Sequence, residues 1–169
     1  MLAHFIGEVI KDTSVSPNYS YILFETAALS LTFTKQSPEA FAQIESQLTP
    51  NLNGIIAQNV SEYVGYAFQL YATFIASSTQ MKPDYEMLCA SVLDPSSMQV
   101  NWGKEMKYLI PSLGAFLSTY ICKYPEQAAQ KLDNVKEIIT HLLKPDIRCE
   151  QVALKLCSCI FERLGAEAL

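Results

Sequence analysis

The sequence predicts an all-α protein, a right-handed α-solenoid of about seven helices arranged in antiparallel pairs. Apolar residues recur at spacings of three and four, not two, along all 169 residues. The breaks between these runs are short and contain Pro, Asn, Asp or Ser. The helices recur in pairs at about 40 residues, the period of HEAT and armadillo arrays. Because no motif repeats literally, a compact bundle of seven helices is the alternative.

The first clear helix is predicted from Ser16-Pro17 to about Lys35, and it carries two neighbouring apolar stripes. One stripe consists of Tyr21, Phe24, Ala28 and Leu31, and the other of Ile22, Leu29 and Phe33. So wide an apolar face predicts burial on more than one side of the helix.

A second helix is predicted to begin at Ser37-Pro38-Glu39, because Ser caps free amides, Pro fits the first turn and Glu favours the positive end of the dipole. Pro50 lies in its middle and predicts a kink or a brief break. After Gln58-Asn59, a third helix is predicted over about 61 to 77. Its two apolar lines are Val64, Phe68, Tyr71 and Ile75, and Tyr63, Ala67, Leu70 and Phe74. The short connection predicts antiparallel neighbours.

The second half of the chain predicts four more helices. A short one opens at Met81-Lys82-Pro83-Asp84 and closes at Asp94-Pro95, the loosest stretch. A long helix follows from about Gly103 to Lys123, and another runs from Tyr124-Pro125 to Lys144-Pro145. The last helix is predicted to begin near Asp146 and to stop at Gly165. Its inward residues are Val152, Ala153, Leu156, Ile160 and Leu164.

Composition excludes several classes of function. The net charge of -5 and dispersed Lys and Arg argue against a nucleic-acid partner, which requires a basic face. Half of the residues are hydrophobic and only 17% are charged, which suggests faces that meet more protein. Without a signal peptide or an 18-residue apolar run, neither secretion nor membrane insertion is expected.

The cysteines predict a reduced, intracellular chain. Five are present, an odd number without Cys-x-x-Cys or zinc spacing: Cys89, Cys122, Cys149, Cys157 and Cys159. Cys157 and Cys159 are two apart, which on a helix points them to different faces. A metal site or local disulfide is therefore not expected.

A search for catalytic motifs assigns no catalytic, cofactor-binding or metal-binding residue and no cofactor, so an enzyme is not expected. The six glycines do not form a phosphate loop.

His4 and His141 lie far apart in sequence, and each is interpreted as structural. Glu25 is interpreted as hydrogen-bonded or exposed rather than functional. Trp102 is interpreted as packed under a loop, with an interface anchor as the alternative. A methionine cluster is interpreted as gap filling between irregular helices or as an adaptable surface: Met81, Met87, Met98 and Met106.

Several segments, in order and with similar spacing, resemble the importin-alpha re-exporters, the CAS family of karyopherin-beta exportins. They are Pro17–Thr26, Ser37-Pro38, Val60–Leu70 and Leu109–Leu117. Pro50 and the stretch from Met81 to Asn101 depart from the family pattern, and beyond about Tyr124 only the helical pattern agrees. The family's chains are several times longer, and this chain begins on what looks like part of a helix. Residues 1–169 are therefore expected to be one HEAT-repeat segment of a larger superhelical exportin.

The resemblance implies a transport receptor that shuttles between nucleus and cytoplasm. Such a superhelix wraps importin-alpha together with GTP-bound Ran in the nucleus and releases both in the cytoplasm after GTP hydrolysis. The partner-contacting residues are unknown, because the family's contacts carry no short motif. The isolated segment is expected to be a monomer, although cut repeats can self-associate through exposed apolar faces. The alternative function is a HEAT or armadillo scaffold of another assembly.

Overall fold

The computed structural model describes residues 2–11, 16–97 and 101–168. These residues contain nine α-helices and no strand, which confirms the all-α prediction. The helices are α1 (Leu2–Lys11), α2 (Pro17–Thr34), α3 (Pro38–Ala57), α4 (Ser61–Ser77), α5 (Pro83–Leu93), α6 (Ile110–Lys123), α7 (Pro125–Ala129), α8 (Leu132–Leu142) and α9 (Glu150–Leu164). Short 3₁₀ turns cover Pro95–Ser97, Lys104–Met106 and Ala166–Ala168. The chain forms two compact units, Met1–Ser77 and Ser78–Leu169.

In the first unit, α2 and α4 run parallel, and α3 runs back between them. The Ser20 and Tyr63 hydroxyls lie 3.3 Å apart, and one turn farther along both helices Phe24 stacks on Tyr66 with ring centroids 4.9 Å apart. Phe41 meets Phe74 and Tyr71 bonds Asn53, so α3 runs antiparallel to α4. The short connection from α2 makes α3 antiparallel to α2 as well, which leaves α2 and α4 parallel. An antiparallel helix followed by a parallel return is the arrangement of stacked helix pairs. The right-handed twist of a longer array stays a prediction.

The reversal between α3 and α4 is held by a Schellman motif. The Val60 amide donates to the Ile55 carbonyl at 3.0 Å, and Asn59 between them adopts a φ of 49°. Asn tolerates this left-handed conformation better than most residues with a Cβ. The motif gives hydrogen-bond donors to carbonyls at the C-terminus of α3 that would otherwise lack a partner. This explains why α3 ends and α4 begins where the sequence predicts.

Of the kink or brief break predicted at Pro50, the break is wrong, because α3 continues through this residue. Pro50 is exposed, as is Ser46, so the carbonyl that loses its amide partner lies on the solvent side. On the opposite side Leu48 and Leu52 are buried, and their packing keeps the helix continuous.

In the second unit, the C-terminal carbonyls of α5 bind side chains from later in the chain. Trp102 Nε1 donates to the Val92 carbonyl at 3.0 Å, and Asn134 Nδ2 donates to the Leu93 carbonyl at 2.9 Å. The Trp102 carbonyl in turn lies 3.2 Å from His141 Nε2. A helix end that would otherwise be unsatisfied is thus closed by the buried Trp102 and the half-buried Asn134.

Helices α6 and α9 also run parallel. Gly114 faces Val152 so closely that a Cβ on Gly114 would overlap the Val152 Cγ1 methyl. About two turns farther along both helices, the Cys122 and Cys159 thiols are in contact. The absence of a side chain at Gly114 therefore sets the close approach of these helices.

Three predicted helix boundaries in the second unit are wrong. The long helix begins at Ile110 rather than near Gly103, because Pro111 occupies the first turn and a separate 3₁₀ turn covers Lys104–Met106. The next predicted helix is two helices, α7 and α8, separated at residues 130 and 131. The last helix begins at Glu150, because Arg148 adopts a φ of 52° and the preceding chain forms a turn.

The prediction that α2 is buried on both stripes is wrong within this chain. Phe24 and Leu31 are buried, but Ile22, Leu29 and Phe33 have exposed fractions of 60%, 50% and 82%. No helix of the described residues covers that side. We call Ile22, Leu29 and Phe33 the outer stripe of α2.

Candidate interaction surface

The histidines, Trp102 and Glu25 lie at separate places in the described structure. His141 is buried, and it contacts the Trp102 carbonyl and, at 3.3 Å through Nδ1, the Lys144 ammonium. Trp102 is fully buried, so it packs inside the second unit rather than at a surface. Glu25 and His4 are exposed, and they lie on different helices. The burial of His141 and Trp102 agrees with a structural interpretation of these two residues.

The described residues contain neither a metal-binding cluster nor a membrane-spanning helix. No group of three or more His, Cys, Asp and Glu side chains there could hold a metal ion. In the same residues, no helix has the length and apolar character needed to cross a bilayer. The five cysteines are free thiols, of which Cys89 and Cys159 are buried. Of the methionine cluster, Met87 is exposed, Met81 and Met106 are half-buried, and Met98 lies outside the described residues.

The most distinctive surface of the first unit is a groove between the parallel helices α2 and α4. It encloses a cavity of about 230 Å³. We call it the aromatic groove, and its lining residues are Tyr21, Phe24, Glu25, Ala28, Tyr66, Gln69 and Leu70. A second cavity of about 260 Å³ adjoins it at Tyr66 and is lined by Pro17, Ser20, Glu62, Tyr63 and Tyr66.

Aromatic rings from both helices build the groove wall. Phe24 and Tyr66 stack with an interplanar angle of 10°, and Tyr21 meets Tyr66 edge-on at 6.4 Å. Phe24 also contacts Tyr63 at 5.7 Å. Phe24 is buried beneath the other rings, whereas Tyr21 is half exposed at the rim. The rings are thus fixed by mutual packing, with their outer parts open to solvent.

Carboxylates give the groove its electrostatic character. The Tyr21 hydroxyl donates a hydrogen bond to the Glu25 carboxylate, and this bond together with the negative charge raises the pKa of Tyr21 above 10.0. Glu62 lines the adjoining cavity. Neither set of lining residues contains Lys, Arg or His. Among the described residues, the groove therefore presents aromatic surface and negative charge without a compensating cation.

Apolar stripes also face outward from the stacked helices. With 3.6 residues per turn, the outer stripe of α2 lies roughly 180° around that helix from Ser20 and Phe24, which contact α4. On α9, Leu154 and Phe161 are exposed, and they lie on the side roughly opposite Val152 and Cys159, which contact α6. We call this pair the outer stripe of α9. Each stripe lies where a further parallel helix would continue the stack.

The sequence pattern singled out Tyr21 and Glu25 separately, and it did not predict that they share a groove. It assigned Tyr21 to a buried stripe and did not single out Tyr66 at all. The groove depends on the register of α2 against α4, which joins residues more than 40 positions apart. A useful signal was available in the recurrence of Tyr and Phe near the start of both helices.

The chain matches the family model described as CAS/CSE protein, C-terminus, over residues 1–169. Its relatives include the importin-alpha re-exporter of Schizosaccharomyces pombe, 28% identical over 127 residues that cover 74% of this chain and 12% of that protein. Exportin-2 of Danio rerio is 26% identical and exportin-2 of Oreochromis niloticus 28% identical, each covering 99% of this chain and 17% of the relative. The chain thus spans less than a fifth of the length of these relatives. No solved structure matches it significantly.

Proposed function

Because the chain belongs to the CAS/CSE protein family, we propose that it is a segment of a nuclear transport receptor that exports importin-alpha. The observation that carries the proposal is the match to the family's C-terminal model along all 169 residues, together with a relative named for re-export of importin-alpha. The cargo is a protein rather than a small molecule, and the chain supplies binding surface rather than catalysis.

The stacked helices support a place within a longer array. In the first unit α2 and α4 run parallel, and in the second unit α6 and α9 do; α2 and α9 each carry an exposed apolar stripe. An exposed Phe33 or Phe161 is unfavourable in water and favourable under another helix. We propose that residues 1–169 are one HEAT-repeat segment and that neighbouring helix pairs of the parent protein cover both outer stripes.

The partners of the parent protein in this proposal are importin-alpha and GTP-bound Ran. Stacked repeats contact only their neighbours, so a small rotation at each interface sums to a large change in curvature. Ran in its GTP form would favour the curvature that encloses importin-alpha, and hydrolysis by Ran would remove that preference. The receptor shuttles between nucleus and cytoplasm, and the chemistry belongs to Ran.

A pull-down with the full-length parent protein tests the proposal. The parent is immobilised and offered importin-alpha with Ran that carries either a non-hydrolysable GTP analogue or GDP. Capture of importin-alpha only with the GTP form supports the proposal. Capture that ignores the nucleotide, or no capture in either state, contradicts it and favours a HEAT-type scaffold with another partner.

A further inference from the structure

We propose that the aromatic groove binds a segment of another protein that presents lysine or arginine side chains. The inference rests on the shape and charge of the groove and does not depend on the export role. The two cavities between α2 and α4 share Tyr66, and Glu25 lines one of them and Glu62 the other.

The groove has the dimensions of a short extended peptide. Together with the adjoining cavity, its lining residues on α2 run from Pro17 to Ala28, and at 1.5 Å per residue they cover about 16 Å. An extended chain rises about 3.3 Å per residue, so about five residues of a partner lie along the groove. Alternate side chains of such a segment point the same way, which allows two of them to reach Glu25 and Glu62.

The rings and the carboxylates favour a cation over other side chains. The face of the Tyr21 or Tyr66 ring attracts a Lys or Arg head group placed over it. The Glu25 carboxylate, which accepts a hydrogen bond from the Tyr21 hydroxyl, lies close enough to pair with the same cation. A neutral apolar occupant would remove Glu25 and Glu62 from water without supplying a partner, which is costly. An acidic occupant would be repelled.

The surrounding charge points the same way. Residues 1–77 contain two lysines, Lys11 and Lys35, and six acidic residues, so this part carries four of the five net negative charges of the chain. Lys35 does not line the groove. A field of one sign steers a partner of the opposite sign toward the groove and speeds its association.

Fluorescence anisotropy with labelled peptides tests the proposal on the intact 169-residue chain. The probe is a nonapeptide of alternating serine and arginine, and its matched controls carry glutamine or glutamate in place of arginine. We expect the arginine peptide alone to bind at low salt and its affinity to fall as salt screens the charges. Equal binding of the glutamine peptide would overturn the proposal in favour of a neutral partner.

Two substitutions test whether the arginine peptide binds in the groove. Glu25→Gln removes an exposed charge from the groove, and Tyr21→Leu removes a ring from its rim. Each is expected to raise the Kd about tenfold, as a loss of about 1.4 kcal/mol would. Glu39→Gln makes the same charge change at an exposed position of α3 outside the groove and should leave the Kd within about twofold. Equal effects of Glu25→Gln and Glu39→Gln would show non-specific attraction and overturn the proposal.

Two further measurements separate loss of binding from loss of folding and from self-association. Circular dichroism checks that each variant remains folded, which is expected because Glu25 and Tyr21 are exposed. Sedimentation tests whether the groove instead binds a second copy of the chain. Self-association that Tyr21→Leu abolishes, without arginine-peptide binding, would also overturn the proposal. The pull-down of importin-alpha uses a different partner, so either result can fail alone.

Discussion

Replacement of Gly114 by alanine should loosen the contact between α6 and α9. The new Cβ would overlap the Val152 Cγ1 methyl and lie 3.4 Å from the Val152 Cβ and Cγ2 atoms. Val152 is β-branched and held to one preferred rotamer in a helix, so it cannot easily turn away. Overpacking of this kind typically costs about 1–3 kcal/mol. The gain in helix propensity from Gly to Ala offsets about 1 kcal/mol of that cost.

The net expectation is a loss of about 1 kcal/mol in the free energy of unfolding, or about 2–4 °C in Tm for a chain of this size. Urea denaturation followed by circular dichroism measures it. Gly54→Ala is the matched control, because a Cβ at this α3 position meets nothing within 4 Å. Gly54→Ala should therefore stabilise the chain by about 0.5–1 kcal/mol.

A double-mutant cycle isolates the contact itself. Val152→Ala removes the overlapping methyl groups, so Gly114→Ala should cost less in that background than in the native chain. We expect a coupling energy of about 1 kcal/mol between the two positions. If Gly114→Ala stabilised the chain as much as Gly54→Ala, the close parallel packing of α6 and α9 would be refuted.

Other substitutions and a chemical probe test the remaining features. Trp102→Phe should cost about 1–3 kcal/mol in urea denaturation, because it leaves the Val92 carbonyl buried without its donor. Phe33→Ser should change the stability of the isolated chain by less than about 0.5 kcal/mol and reduce any self-association on sizing columns. By contrast, Leu31→Ala, two positions away on the buried side of α2, should cost about 2–5 kcal/mol. Burial raises the pKa of the Cys89 thiol to about 12, so about one thiol in 10⁴ is ionised at pH 8 and a disulfide reagent should reach it only after denaturation. Rapid reaction of Cys89 in the native chain would contradict its burial.

The sequence predicted the first half of the fold best because its helix ends are local. Ser37-Pro38 starts α3 and Asn59 ends it, and both depend on a few neighbouring residues. The start of α6 was missed because residues 104 to 109 are compatible with a helix, and only the 3₁₀ turn shows where it begins. Arg148 gave no signal either, since arginine rarely adopts a left-handed conformation.

The candidate surface was harder to predict than the helices that form it. Apolar periodicity assigned Ile22 and Phe33 to a buried face, but both are exposed. The pattern shows that this side of α2 is apolar. It does not show whether the helix that would cover it belongs to this chain. The aromatic groove was missed because the stacking of Phe24 on Tyr66 depends on how far α2 is shifted along α4. That shift follows from packing over the whole interface, which no local pattern encodes.

The Schellman turn at Asn59 bears on how the chain folds in time. It joins α3 directly to α4, and the contacts that follow are local: Tyr71 donates to Asn53, only 18 residues away, and Phe41 meets Phe74 edge-on. Closing short loops loses little chain entropy, so contacts of low sequence separation form quickly. The α3–α4 hairpin can therefore nucleate the first unit, with α2 adding to it afterwards. A ribosome would have to release residues only as far as Ser77 before this nucleus could form.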